Sequence, residues 1–148
     1  MTTYKKFLPQ PTPETEDYWA ALKQHTLMLQ RCKVCQRAYF YPRPFCPQLD
    51  CHSRQVERFQ ASGMGTLYSY VINTRPMPGF EDDVPYVIAV VELDEGPRLM
   101  TNIVDVAGDE VTAKAAALQV GAAVEVVYEQ ATDTITLPKF RLRTPAEG

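Results

Sequence analysis

The sequence predicts a mainly β chain that has a short N-terminal helix, a zinc ribbon and a C-terminal five-stranded barrel. Two observations lead to this prediction. All four cysteines fall between residues 32 and 51, and five β-prone runs with one alanine-rich stretch follow them. The 148 residues suffice for a single domain or for two very small ones. We expect an arm and helix over residues 1–26, the ribbon over 27–60 and the barrel over 61–148.

Composition narrows the class of protein. A hydrophobic content of 45% is enough for an ordinary core, and the net charge of −3 disfavours a chain that mainly wraps nucleic acid. No run approaches the roughly eighteen apolar residues that a membrane helix needs. No secretory leader is recognised at the N-terminus, so we expect a cytoplasmic protein whose thiols stay reduced.

The first eleven residues contain two prolines and no hydrophobic period, so we expect an extended arm there. Thr12 and Pro13 predict a helix start, because they offer a capping hydroxyl followed by proline at the first helical position. Tyr18, Trp19 and Leu22 then form an apolar stripe at helical spacing. This stripe either packs on the body of the protein or faces a partner, and Trp19 is our candidate for such a contact.

The cysteines form two close pairs, C-x2-C and C-x4-C, which is a typical arrangement for a tetrahedral metal site. The four candidate ligands are Cys32, Cys35, Cys46 and Cys51. Four thiolates suit one structural zinc ion. A disulfide framework and four buried unliganded thiols are the rival interpretations, and His52 could replace Cys51 as the fourth ligand. Iron at the same site would indicate electron transfer.

Strand-like runs dominate the chain after residue 63, and they are separated by turn residues. We expect strands over 65–72, 86–93, 98–104, 124–128 and 134–142, with a short helix within 109–118. Five strands with a helix between the third and the fourth are the layout of an OB-fold barrel.

Several segments, in order along the chain, resemble a known family. The matching stretches are the C-x2-C pair at Cys32, residues 42–47, residues 63–69, residues 85–98, Val120-Gly121 with Val124, and residues 137–140. The chain resembles proteins in which a rubredoxin-like zinc ribbon is joined to an acyl-CoA-associated OB-fold, long catalogued as a domain of unknown function. It departs from their pattern where Gln36 and His52 stand in place of the glycine that usually follows each cysteine pair.

The resemblance implies a non-catalytic accessory subunit. Members of the family accompany thiolase-fold enzymes, and related copies accompany aldolases and hydratases that act on acyl-CoA. They help to shape the acyl-CoA site of that enzyme, which implies a place in lipid, sterol or aromatic-acid metabolism.

The residues agree with such a role, because no complete catalytic set is recognisable. Claisen-type acyl-CoA chemistry needs a cysteine nucleophile and histidine bases. The four cysteines are better used on metal, and the chain has only two histidines. We therefore predict no catalytic residues.

Cations and loop residues are the remaining candidates for binding. Lys139, Arg141 and Arg143 alternate, so on a strand they would share one face and could receive the phosphates of CoA. The alternative for this ladder is a charged edge strand that resists aggregation. Arg43 belongs to a second basic group beside the ribbon. Met77 and Phe80 place large apolar side chains on a loop, which suits a partner interface or a channel for an acyl tail.

A single-stranded nucleic-acid binder is the competing class, because zinc ribbons and OB-folds also occur there. Tyr68, Tyr70 and Tyr86 could supply stacking platforms for bases. The acidic composition and the lack of a continuous basic stripe argue against it.

Overall fold

The computed structural model of the chain describes residues 4–143, and these residues form two helices and eight strands. The ends of the predicted arm and barrel, residues 1–3 and 144–148, lie outside the described residues. The elements are α1 Glu16–Lys23, β1 Met28–Cys32, β2 Ala38–Tyr39, β3 Val56–Gln60, β4 Met64–Asn73, β5 Tyr86–Leu93, β6 Arg98–Ile103, α2 Val111–Ala117, β7 Ala123–Gln130 and β8 Thr136–Leu142. No helix among them is long and apolar enough to cross a membrane.

Helix α1 begins later than the sequence predicts. Thr12 does not cap it, because the Thr12 carbonyl accepts the N–H groups of Thr15 and Glu16 at 2.9 and 2.8 Å and closes a turn first. The Thr12 N–H also donates to the Thr15 hydroxyl at 2.9 Å, which fixes that turn. The helix then starts at Glu16, and acidic side chains in its first turn complement the helix dipole.

The ribbon is a three-stranded antiparallel sheet in the order β2–β1–β3. Strand β3 was missing from our prediction. It pairs with β1 over five positions, from Met28 opposite Gln60 to Cys32 opposite Val56. Its sequence, Val-Glu-Arg-Phe-Gln, has only two apolar residues, neither of them fully buried, so the hydrophobic pattern gave a weak signal.

The barrel is closed in the strand order β4–β5–β6–β8–β7, and β4 pairs with β7 to complete it. All pairs are antiparallel except β6 with β8, which meet in parallel at Ile103 and Phe140. Helix α2 lies between the third and the fourth barrel strands. The predicted fold class, with an N-terminal helix, a zinc ribbon and a five-stranded OB-fold barrel, is confirmed.

One hydrophobic core joins the helix, the first ribbon strand and the barrel. Phe140 and Leu67 of the barrel are fully buried, and so is Leu22 of α1. Leu27 and Leu29, which lead into the first cysteine pair, belong to the same cluster. The ribbon and α1 are therefore packed against the barrel wall, and an apolar groove lies along the seam between them.

Candidate metal centre and apolar groove

The four cysteine sulfurs converge on one point. The Sγ atoms of Cys32 and Cys51 are 3.6 Å apart, those of Cys35 and Cys46 are 3.7 Å apart, and all four lie within 4.8 Å of one another. A tetrahedron of thiolates at about 2.3 Å from zinc has edges of about 3.8 Å. The donor set and its spacing therefore fit one structural zinc ion.

Two backbone amides of the first cysteine pair stabilise the thiolate of Cys32. The N–H groups of Val34 and Cys35 both donate to Cys32 Sγ at 3.4 Å. These hydrogen bonds, that from Cys35 first, lower the pKa of Cys32 to about 7. Because a metal binds the thiolate form, these hydrogen bonds favour Cys32 as a ligand, whereas burial raises the pKa of Cys46 to about 11.

The residues after each cysteine pair adopt the backbone conformation that glycine favours. Gln36 has φ of 65° and His52 has φ of 54°. The exposed His52 ring lies edge-to-face against Phe45, with 6.3 Å between the ring centroids. The structure thus brings Cys51, rather than His52, to the sulfur cluster.

An apolar groove of about 450 Å³ runs along the seam between α1, the ribbon and the barrel. Aromatic side chains line it together with aliphatic side chains of the barrel. These side chains include Tyr18, Trp19, Phe40, Tyr41, Ile88 and Leu137. Trp19 is 9% exposed and its indole N–H donates to the Tyr41 hydroxyl at 3.1 Å. Trp19 thus packs on the body of its own protein and leaves little surface for a partner, because the helical stripe faces the shared core.

Lys139 lies where this groove meets a second cavity of about 390 Å³. Its ammonium donates to Asn102 Oδ1 at 2.6 Å, and Asn102 Nδ2 donates to the Val87 carbonyl at 2.8 Å. The amide orientation of Asn102 is therefore set by the backbone of β5. Burial lowers the pKa of Lys139, since the charged form is poorly hydrated there.

The other candidate cations are not gathered at this place. Arg141 forms an ion pair with Glu125 of β7 at 2.9 Å. Arg143 and Arg43 are exposed, and neither lines either cavity. The structure therefore does not present a ladder of three free cations, because Lys139 is bonded to Asn102 and Arg141 is paired with Glu125.

The two predicted interface residues in the loop between β4 and β5 have different surroundings. Met77 is 45% exposed. Phe80 instead stacks on Tyr86 with ring centroids 4.5 Å apart, and the Lys6 ammonium lies 4.8 Å from its ring centroid. Lys6 also pairs with Asp83 at 2.7 Å, so the N-terminal arm is packed across this loop.

The three tyrosines proposed as base-stacking platforms are largely engaged. The guanidinium of Arg98 lies 3.8 Å from the ring centroid of Tyr68. Tyr86 stacks on Phe80, and Tyr70 packs against the core. These three tyrosines therefore do not form an open row of aromatic faces.

Comparison with known proteins identifies the family. Residues 19–57 match the family description "ChsH2, rubredoxin-like zinc ribbon domain", and residues 59–129 match "ChsH2, C-terminal OB-fold domain". The chain belongs to the ChsH2 family. This result confirms the resemblance that the sequence segments predicted.

Relatives of this ChsH2-family chain carry different names. It is 37% identical over 146 residues to a probable enoyl-CoA hydratase alpha subunit of Thermomonospora curvata, covering 97% of this chain but only 42% of that protein. It is 33% identical to a DUF35 domain-containing scaffold protein of Methanothermobacter thermautotrophicus, covering 79% of this chain and 83% of the relative.

A solved structure shares the fold. The chain superposes on a chain of the Ltp2-ChsH2(DUF35) aldolase with a TM-score of 0.74 and 35% identity. The match covers 91% of this chain and 98% of that one. The ribbon and the barrel are therefore present together in a solved relative.

Several residues of the groove had no signal in the sequence. In the sequence, Asn102 is only one polar position of a predicted strand. Its hydrogen bond with Lys139 depends on the pairing of β6 with β8. Phe40 and Tyr41 are β-prone aromatics beside the second cysteine pair, and nothing local shows that they face α1. The position of Lys6 on the β4–β5 loop likewise depends on the packing of the arm.

Proposed function

We propose that this chain is an accessory subunit, without catalytic activity of its own, of an acyl-CoA-processing enzyme of the hydratase, aldolase or thiolase type. It contributes binding surface to the acyl-CoA site of that enzyme in lipid, sterol or aromatic-acid metabolism. Its three parts are an arm and helix over residues 1–26, a ribbon over 27–60 and a barrel over 61–148.

The apolar groove is the observation that carries this proposal. The descriptions of the relatives as an enzyme subunit, a scaffold protein and an aldolase chain support it. One relative is named a hydratase alpha subunit, another a scaffold protein, and the chain of the solved relative belongs to an aldolase. A groove of about 450 Å³ whose lining includes a lysine can accept an apolar acyl group with a polar end.

The positions of the cysteines and histidines support an accessory role. The four cysteines meet at the metal centre, and the thiolates of a structural zinc site are coordinated rather than free to attack a thioester. His25 stacks on Tyr128, with 4.8 Å between their ring centroids, and His52 lies beside Phe45. Neither histidine lines the groove.

We assign the partner-facing role to the β4–β5 loop, where Met77 is exposed and Phe80 lines both cavities. Phe80 contributes through its ring, which stacks on Tyr86. Lys139 is the cation that we assign to the ligand, and Arg43, Arg141 and Arg143 stay as more distant candidates for the nucleotide end. A partner that shares a ligand with the groove would contact this loop.

Affinity purification of the tagged chain from its host, followed by mass spectrometry, tests the proposal. We expect a near-stoichiometric hydratase, aldolase or thiolase in the eluate. A Met77→Glu variant places a charge in the proposed interface and should reduce recovery of that enzyme at least tenfold, whereas Val71→Glu, on another exposed apolar position, should not. Recovery of nucleic acid and its processing proteins instead would contradict the proposal.

A further inference from the structure

The Lys139 amine is shared by two cavities. The groove and the second cavity have Phe80, Tyr86, Asn102 and Lys139 in common. A molecule bound in either cavity therefore lies against a wall that includes this lysine.

The amine is held by a neutral partner. Its hydrogen bond goes to the amide oxygen of Asn102 at 2.6 Å, and within residues 4–143 no carboxylate forms an ion pair with it. Loss of one proton leaves an N–H to donate to Asn102 and frees the lone pair of nitrogen. The deprotonated amine therefore stays in place with its lone pair available.

The surroundings make that deprotonated form easier to reach than in an exposed lysine. Burial is the largest influence that lowers the pKa of Lys139, and the nearby charge of Lys6 acts in the same direction. Glu129 and Asp83 act in the opposite direction, but Asp83 is already paired with Lys6. A desolvated lysine amine next to apolar surface is a typical activated nucleophile.

We propose that Lys139 is a site of Nε-acylation by acyl thioesters whose apolar acyl group lies in the groove. The neutral amine attacks the thioester carbonyl, a C–N bond forms and the C–S bond breaks. The thiol leaves with a proton from the amine, and an amide remains on the lysine. The inference rests on the proposed function for the natural source of the thioester, but the chemistry belongs to this chain alone.

Lysines elsewhere in the chain serve as built-in controls. Lys6 is paired with Asp83, and Lys114 donates to the Val106 carbonyl at 3.2 Å. Lys23 and Lys33 are exposed, at the end of α1 and inside the first cysteine pair, and neither lines the groove. Selective acylation of Lys139 over Lys23 and Lys33 would thus report the groove rather than general reactivity.

The test uses the zinc-loaded full chain and two thioesters of N-acetylcysteamine, which lack the nucleotide of CoA. After reaction, hydroxylamine removes acyl groups from sulfur, and peptide mass spectrometry measures the rate at each lysine. With the octanoyl thioester, we expect Lys139 to react at least tenfold faster than Lys23 or Lys33, with a rate that saturates. With the acetyl thioester, which cannot fill the groove, this preference should fall at least fivefold.

A Lys139→Arg variant keeps the charge and should lose only the Lys139 adduct. Equal rates at Lys139 and Lys23, or the same preference with both thioesters, would overturn the inference. Both comparisons use the wild-type chain, so they do not depend on the folding of a variant. Selective acylation of a chain that recovers no enzyme from its host would contradict the proposed function alone, and the reverse result would contradict this inference alone.

Discussion

The ribbon and the barrel reach a fixed shape by different physical routes. In the barrel, five paired strands close around a core that includes the fully buried Leu67, Val91 and Phe140. The ribbon has strands of five, two and five residues, and two of its buried side chains are the cysteines Cys32 and Cys46. The comparison teaches that hydrophobic burial holds the barrel, whereas the metal holds the tip of the ribbon.

Loss of the metal should show the difference in stability between the ribbon and the barrel most clearly. The change is Cys46→Ser, at a fully buried ligand position. Structural zinc contributes about 10 kcal/mol or more to the folding of small zinc domains, so we expect the ribbon to unfold. Hydrogen exchange should accelerate at the amides of β1, β2 and β3 while those of β4 to β8 stay protected. Val34→Ala, at an exposed position of the first cysteine pair, is the control. Equal protection in both regions of the Cys46→Ser variant would show that the ribbon does not depend on metal.

A cavity in the barrel should have the second largest effect. Phe140→Ala removes a ring that is 0% exposed, and we expect the free energy of unfolding to fall by about 3–5 kcal/mol. Urea unfolding followed by circular dichroism measures this change. Zinc content should remain at one ion per chain, because the metal site lies outside the barrel. Arg141→Ala, on the exposed side of the same strand, should cost less than about 1 kcal/mol. A loss of similar size in both variants would argue against a core centred on Phe140.

Alkaline pH should lower the free energy of unfolding through Tyr18, which packs α1 against the groove. Burial raises the pKa of Tyr18 above its usual value of 10.0. The nearby Tyr41 and Tyr128 act in the same direction. A raised folded-state pKa means that the stabilisation is complete below about pH 10 and is lost as the pH rises above it. Tyr18→Phe should therefore flatten the fall in the urea midpoint above about pH 10. An unchanged slope in that variant would assign the alkaline loss to other groups.

The smallest effect should come from the ion pair between Arg58 of β3 and Asp17 of α1, which joins ribbon to helix at the surface. Both side chains are more than half exposed, so solvent and salt screen their attraction. Arg58→Ala should lower the free energy of unfolding by less than about 1 kcal/mol at low salt and by less still at 0.5 M salt. A larger loss, independent of salt, would show that Arg58 acts through packing rather than charge.

The two regions also differ in how far the sequence predicts them. The cysteine spacing and the turn residues are local signals, so the metal ligands and all five barrel strands could be placed before the structure was known. Strand β3 could not be placed, because Val56 and Phe59 are its only apolar residues and pairing with β1 fixes it. The groove needs contacts between distant segments, such as Trp19 with Tyr41 and Lys139 with Asn102. No local pattern carries those contacts.

Reconstitution of the host enzyme with this chain tests the central claim most directly. The enzyme recovered with the tagged chain is freed of it and assayed with its acyl-CoA, with and without added chain. We predict that the chain alone gives no turnover and that its addition lowers the KM of the enzyme for acyl-CoA. Turnover by the chain alone, or an enzyme whose KM and kcat are unchanged by the chain, would contradict an accessory role at the acyl-CoA site.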